Sequence, residues 1–451
     1  MGGVIIPCMP KKQWNIPKKK NNRLLKVLLI LTVLGVFLVV LYFLPPIHDR
    51  LSWRLTNIRA DIFYFFNPPE ETSFSPGQQA EMAAIVNQTQ TALAPTATET
   101  LVPTLTPTNY ISPTPTLTPS PTPSPTPIPS SVRLEGVVHE FQKFNNCGPA
   151  NLSMALSYWG WEGDQLVTAA SLKPKQEDRN VMPYEMADYV NQETNFRALI
   201  RWGGDLEMLK KFIAAGIPPI IEKGFEEEVA QNAWMGHYGL ITAYDEEKEI
   251  FIIQDSYVGE DYANPYDKVQ RHWRSFNYVY LIIYPPEREA EVMNILGPQA
   301  DETFNLQHAA QKAAQEINQL SGRELFFAWF NYGTSLANLA DYYGAAQAYD
   351  SAFEVYDELA AKPWRITWYQ TGPYFAYYYT GRYQDVLDLA NITLSYSSVQ
   401  PAIEESWVWR GRAKVALGDI EGAIEDFRSA LEWHPGWWVA EQELSALGAT
   451  P

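Results

Sequence analysis

The order of apolar and polar positions divides the chain into stretches with different periodicities. Leu24 to Leu44 is apolar and carries no charge from Val27 onward, a length that is enough to cross a bilayer. From 47 to 66, Leu51, Leu55, Ile58, Ile62 and Phe65 recur at steps of three and four, with Arg50, Arg54 and Arg59 among the polar positions. That spacing predicts a juxtamembrane amphipathic helix within 45–92, lying in the membrane interface or packed on a domain. Periodicity then stops. From 93 to 131 the composition collapses to Thr, Pro and Ser, as in Pro113-Thr114-Pro115-Thr116-Leu117-Thr118-Pro119. Such a segment cannot bury enough apolar surface to fold, and a disordered, extended stalk is expected.

Patterning resumes at Val132. Ala150, Met154 and Ser157, with Ala155, Leu156 and Trp159 beside them, repeat at helical spacing, and further helical patterns fall near 164–171, 183–193 and 205–215. Strand-like runs occupy 196–200, 217–221, 238–244, 250–254 and 278–284. The third and fourth join through Asp245-Glu246-Glu247-Lys248 as a hairpin. Residues 132–286 are therefore expected to form an α+β domain, helices mostly first and an antiparallel sheet after. From 300 to 450 the pattern is helical and repeats. Three windows superpose: Trp329, Gly333, Ala340-Asp341-Tyr342, Ala345, Tyr349, Ala352; then Gly381-Arg382-Tyr383, Val386, Ala390; then Trp407, Gly411, Gly418-Asp419-Ile420, Ala423, Phe427, Ala430. Small residues stand where paired helices touch and aromatics fill between them. This resembles tetratricopeptide repeats, with insertions, because the ideal period is about 34 residues. Such arrays bind proteins or peptides on a concave face. The repeats are expected to supply recognition alone and to be separable near residue 296.

Charge fixes the expected topology. Residues 1–26 hold seven basic residues and no acid, leaving 27 basic against 52 acidic residues in the remainder. A lysine-rich 1–23 tail places the N-terminus in the cytoplasm and everything after Pro45 outside, on a single-pass signal anchor at 24–44. A cleaved signal peptide is the competitor, but Phe43-Leu44-Pro45-Pro46 is a poor cleavage site. So acidic a body repels a phosphate backbone, which excludes nucleic acid as a partner. The two cysteines, Cys8 and Cys147, fall on opposite sides of the membrane and rule out a disulfide framework. No metal set, phosphate loop or nucleotide fingerprint stands out, so no cofactor is expected.

Candidate chemistry centres on Cys147, where an irregular loop turns into the first helical run and Pro149 occupies a first-turn position. A thiol at a helix N-terminus feels the positive end of the dipole, which favours the thiolate; a small buried hydrophobe is the other reading of a lone cysteine. A cysteine nucleophile needs a base, and the base needs an orienting group. His237 opens one hairpin strand and Asp255 ends the other, so the two can meet across the ladder. His139 and His272 are the alternative bases.

Gln142 to Leu156, His237-Tyr238-Gly239-Leu240-Ile241-Thr242-Ala243-Tyr244-Asp245 and Ile253-Gln254-Asp255-Ser256 resemble three motifs of the bacteriocin-processing cysteine peptidases. These are papain-like enzymes of cysteine peptidase family thirty-nine, and the likeness is to their stand-alone branch. The resemblance implies a papain-like fold over 132–286, Cys147 as nucleophile, His237 as general base and acid, and Asp255 as the orienting carboxylate. It also implies that Gln142 forms the oxyanion hole with the Cys147 N–H. The bacteriocin processors sit on exporters and cut after a double glycine; this chain carries no transporter, so that substrate does not transfer. The expected function is a membrane-anchored extracytoplasmic cysteine peptidase whose repeats recruit a protein or peptide. Acyl transfer to an amine with the same triad, and a catalytically dead adaptor, are the alternatives.

Overall fold

A computed structural model of the chain describes residues 23–44, 74, 76–77, 128–175, 177–225, 234–396 and 402–451. The basic tail before residue 23, the amphipathic helix expected at 47–66 and the stalk up to residue 127 lie outside the described residues. Helix α1, Arg23–Tyr42, belongs to a unit of its own covering residues 1–58. Its large apolar side chains from Val27 to Val40 are exposed all round, from Leu34 at 51% to Leu29 at 65%. Among the described residues no helix is long and apolar enough to cross a membrane, so the expected span is not shown.

The second unit covers residues 59–451. It opens with β1 (Ser131–Arg133), α2 (Cys147–Tyr158), α3 (Gln165–Leu172), α4 (Pro183–Glu193), β2 (Arg197–Arg201) and α5 (Leu206–Ala214). Then come β3 (Pro219–Phe225), β4 (Met235–Asp245), β5 (Ile250–Asp255), β6 (Gly259–Pro265), α6 (Tyr266–Arg274) and β7 (Tyr280–Tyr284). The strands form one antiparallel sheet in the order β2-β7-β3-β4-β5-β6. β4 is long enough to take two partners along one edge, β3 beside its first half and β1 beside its end. Successive side chains of a strand point to opposite faces, and β7 is apolar at every position because both faces are covered. Tyr280 and Ile282 pack with Met208, Leu209, Phe212 and Ile213 of α5. Leu281 and Ile283 pack with Leu152, Met154, Ala155 and Leu156 of α2. The sheet thus forms the middle layer, and α2 carries its N-terminus to the strand ends where β4 begins.

The chain continues through α7 (Glu289–Leu296), α8 (Glu302–Ile317), α9 (Gly322–Asn338), α10 (Tyr342–Asp357), α11 (Ile366–Tyr369), α12 (Gly372–Tyr379), α13 (Tyr383–Tyr396), α14 (Glu404–Leu417), α15 (Ile420–Trp433) and α16 (Trp438–Ala446). The pairs α9–α10 and α14–α15 are built alike. A Cβ on Gly333 would sit 2.9 Å from the Tyr349 ring, and one on Gly411 would sit 2.6 Å from Phe427. In each pair only glycine lets the helices approach that closely. Asp341 and Asp419 cap the second helices through the N–H groups of Gly344 and Gly422.

The repeats do not hang from a linker. Trp234, Phe276 and Val279 of the sheet domain are buried in the same cluster as Phe326, Phe327, Phe330 and Tyr349, with Trp234 stacked on Phe276 and Phe327. Polar contacts cross as well: Asn331 Nδ2 donates to Arg274 O at 2.7 Å and Arg365 Nη1 to Trp234 O at 3.0 Å. Phe74, from the stretch expected to be juxtamembrane, packs on Phe353 of the repeats. The expectation of repeats separable near 296 conflicts with this shared core.

Candidate active site

The loop before α2 is shaped by its own polar groups. Asn145 takes a left-handed φ of 54°, a conformation that Asn tolerates better than most residues. Gln165 of α3 grips the loop from behind, accepting from Lys143 N at 2.8 Å and donating to Phe141 O at 2.9 Å. Cys147 is thereby delivered as the first residue of α2, partly exposed at the positive end of a twelve-residue helix. Asn151, one turn on, ties this end to the sheet: its Nδ2 donates to Cys147 O at 2.9 Å and lies 3.2 Å from both Tyr238 O and Ser256 Oγ.

The β4–β5 ladder ends at Leu240 opposite Gln254, which sets Asp255 beside the stretch of β4 that carries His237. The His237 Nε2 to Asp255 Oδ1 distance is 2.9 Å, both side chains being buried. The ring also hydrogen-bonds the Cys147 thiol; with Nε2 committed to Asp255, Nδ1 is the nitrogen left for sulfur. Asp255 is held further by Lys223 Nζ at 3.2 Å and by the N–H groups of Tyr257 and Val258, each at 3.0 Å. Lys223 lies directly across the ladder from His237. Gln142 joins the group through Ser256: its Oε1 accepts from Ser256 Oγ at 2.9 Å and its N–H donates to Ser256 O at 2.8 Å. Its amide nitrogen is left as the donor end.

The structure therefore brings Cys147, His237 and Asp255 together, with Gln142 attached at the side. The other candidate bases stand elsewhere. His139 Nε2 contacts the Asp255 backbone carbonyl at 3.2 Å, not the carboxylate. His272 is pushed down to about 3, first by burial and then by the charge of Lys223, and so stays neutral. Gln165 and Lys223 carry no signal in the sequence, and Asn151 and Ser256 stand inside the motif stretches with no role assigned there, because these roles arise only when distant segments meet.

Electrostatics favour an ion pair. Burial pushes the Cys147 thiol up, but the His237 hydrogen bond and charge, the Tyr238 N–H and Lys173 outweigh it, leaving the thiol below its ordinary value. Burial pushes His237 down; the charge and hydrogen bond of Asp255, with the bond to Cys147, overcome it and raise the ring to about 9. Asp255 stays well below the usual carboxylate range, its burial outweighed by His237 and Lys223. Both shifts favour a thiolate beside an imidazolium, a nucleophile paired with an acid. A cavity of about 680 Å³ opens between the sheet domain and the repeats, lined by Met182, Trp202, Glu222, Tyr369 and Trp409 among others. Two of the lining residues, Glu222 and Tyr369, feel the Cys147 charge.

Residues 134–281 match the model of the Peptidase_C39 like family. That matched stretch, which holds the sheet, is similar to the family and is followed by a many-helix region. Among solved structures, a putative C39-like peptidase from Bacillus anthracis is 18% identical, with 34% of this chain and 96% of that chain covered and a TM-score of 0.28. A double glycine motif protease from an AMS/PCAT transporter, in complex with the leader peptide, is also 18% identical, covering 34% and 94% at a TM-score of 0.27. MamA from Desulfovibrio magneticus RS-1 is 14% identical, covering 40% and 85% at a TM-score of 0.28. No curated protein matches the chain.

Proposed function

We propose that the chain is a cysteine peptidase in which Cys147, His237, Asp255 and Gln142 act on a peptide bond. The observation that carries this reading is the continuous hydrogen-bonded series from the Cys147 thiol through His237 to Asp255. The thiolate attacks the scissile carbonyl carbon, and the tetrahedral oxyanion is met by the Cys147 N–H and the Gln142 amide. His237 gives its proton to the leaving amine as the C–N bond breaks, producing an acyl-enzyme. The neutral ring then takes a proton from water, hydroxide displaces the thiolate, and the acid product leaves. Asp255 keeps the ring in the tautomer and orientation that both steps need. The cavity shared with the repeats is where a peptide or protein substrate is recognised. The apolar α1, exposed on every face, anchors the chain in a membrane, since a helix apolar all round needs lipid or protein around it, and the catalytic unit lies on the outer side.

One labelling experiment tests activity and topology together. A charged, membrane-impermeant alkylating probe is expected to label Cys147 rapidly at pH 7 in the purified protein and equally in intact cells. His237→Ala slows the reaction by removing the partner that favours the thiolate. Labelling of the native protein no faster than an ordinary exposed thiol sinks the peptidase reading and leaves an adaptor. Labelling only after permeabilisation reverses the topology. Hydrolysis of a peptide with no product joined to an added amine separates peptidase from acyl transfer.

A further inference from the structure

A second chemical constellation lies where the sheet domain meets the repeats. Asp178 sits in the loop between α3 and α4, Glu404 is the first residue of α14, and His434 caps the C-terminal end of α15. Although Asp178 and His434 are far apart in sequence, each of the three residues offers one ligand-competent atom, and these atoms all lie within 4.8 Å of one another. His434 Nδ1 and Glu404 Oε1 are 3.0 Å apart. The remaining carboxylate oxygens, Asp178 Oδ2 and Glu404 Oε2, are buried and have no hydrogen-bond partner, in residues only 1% and 2% exposed. Buried carboxylate oxygens are normally satisfied, because an unpaired one forfeits its hydration with nothing in return. Two of them belong to residues clustered with an imidazole, an arrangement that a bound cation would satisfy.

The surrounding charges sharpen the case. Four acidic side chains, Asp178, Glu185, Glu404 and Glu405, are buried in mutual electrostatic contact. The nearby cations are Lys173, whose charge acts on Asp178, and Arg179. Lys173 Nζ is turned to the carbonyls of Phe144 and Asn145, at 3.2 and 3.3 Å. The Arg179 guanidinium lies over the Trp368 ring, and its Nε has no partner. The candidate ligands, by contrast, are held in place: Asp178 Oδ1 accepts from Asn180 N at 3.1 Å, and Trp437 stacks on the His434 ring. Outer contacts of this kind are what orient metal ligands.

We propose that Asp178, Glu404 and His434 form a divalent-cation site that clasps the peptidase domain to the helical repeats. The donor set selects the metal class. Ca²⁺ and Mg²⁺ favour all-oxygen shells, whereas imidazole with carboxylates suits Zn²⁺. The site reaches the nucleophile loop directly, since Asn145 Nδ2 donates to Asp178 O at 3.0 Å. Loading it would brace the backbone that delivers Cys147. The site takes no part in the bond-breaking steps and does not depend on the peptidase reading.

The test uses the full chain, stripped with a chelator and dialysed against ZnCl₂, with bound metal counted by mass spectrometry. One Zn²⁺ per chain is expected, with no comparable uptake of Ca²⁺ or Mg²⁺, and Zn²⁺ should raise the melting temperature. His434→Ala and Asp178→Asn should each weaken binding by at least about tenfold and abolish the thermal shift. His434 is partly exposed, so its loss tests binding with little burden on folding. Cys147→Ala should bind as the native chain does, because the thiol is a competing zinc ligand. Failure of the native chain to bind overturns the site. So does native-like binding by both ligand variants, or loss of binding in Cys147→Ala, which would move the metal to the thiol. No readout uses turnover, so failure here leaves the peptidase reading standing.

Discussion

In the proposed mechanism the partly exposed Cys147 thiol and the buried His237 ring share one proton, and their shifts fix how activity is expected to follow pH. The thiol is held below its ordinary value and His237 is raised to about 9, so thiolate and imidazolium coexist between those limits. kcat/KM is expected to rise as the thiol ionises on the acid side and to fall as the imidazolium is lost near pH 9, the limbs belonging to the pair. Asp255 raises the ring by charge and hydrogen bond; Asp255→Asn should therefore shift the alkaline limb to lower pH and reduce kcat. An unmoved limb would show that another group holds the proton. The linkage has a definite sign. His237's folded value lies above the unfolded value of about 6.5, so its contribution to stability is complete below that value and is lost as pH rises through about 9. Gln142→Ala removes one oxyanion donor, an effect on the order of 10²–10³ in kcat; an unchanged kcat for a hydrolysed peptide would remove Gln142 from that role. At this scale the sequence is legible where chemistry is local. A helix start names Cys147 and a hairpin names His237 and Asp255, but Lys223 and Ser256 are ordinary residues until the sheet assembles.

Elements differ in how openly they announce themselves. α4 coincides with its 183–193 pattern, and α3 and α5 differ from theirs by one residue at each end, because an amphipathic stripe and an Asp or Pro at the start are local signals. β6 has neither alternation nor β-branched residues in Gly259–Pro265 and exists by pairing with β5, an edge no local pattern reveals. Similarly, the three Ser131–Arg133 residues form a strand only because β4 outruns β3. In the repeats, glycines are the legible part. Gly411→Ala would place a methyl 2.6 Å from the Phe427 ring, and overpacking of this kind costs about 1–3 kcal/mol. Calorimetry should show a lowered melting temperature; an unchanged one would mean that α14 and α15 separate freely. The acidic cluster was invisible in sequence for the opposite reason: Asp178, Glu404 and His434 share no spacing, only a place.

For the whole molecule, the decisive fact is that sheet and repeats are one body. Ending the chain near residue 296 would strip cover from Trp234, Phe276 and Val279, all under 5% exposed in the full chain, and create a large apolar patch. The truncated protein is expected to aggregate or to lose turnover of even a small chromogenic peptide. A soluble fragment with native circular dichroism and full turnover would restore the separable arrangement suggested by the repeat pattern.

Gly236, the residue before His237, is packed against the Tyr369 ring so closely that a Cβ there would lie 2.8 Å from it. This contact carries a timetable. During synthesis the thiol, imidazole and carboxylate are all made before residue 260, yet the surface that seats their strand is about a hundred residues further on, a delay of roughly 5–20 s at ribosomal speed. Under the proposed activity, a nascent chain that cannot finish this site until its own repeats have emerged is silent while its unfolded C-terminal part is still within reach. Ribosome-stalled chains ending near residue 300 should therefore resist the alkylating probe, and chains stalled past the repeats should react; equal labelling of the two would abolish the delay.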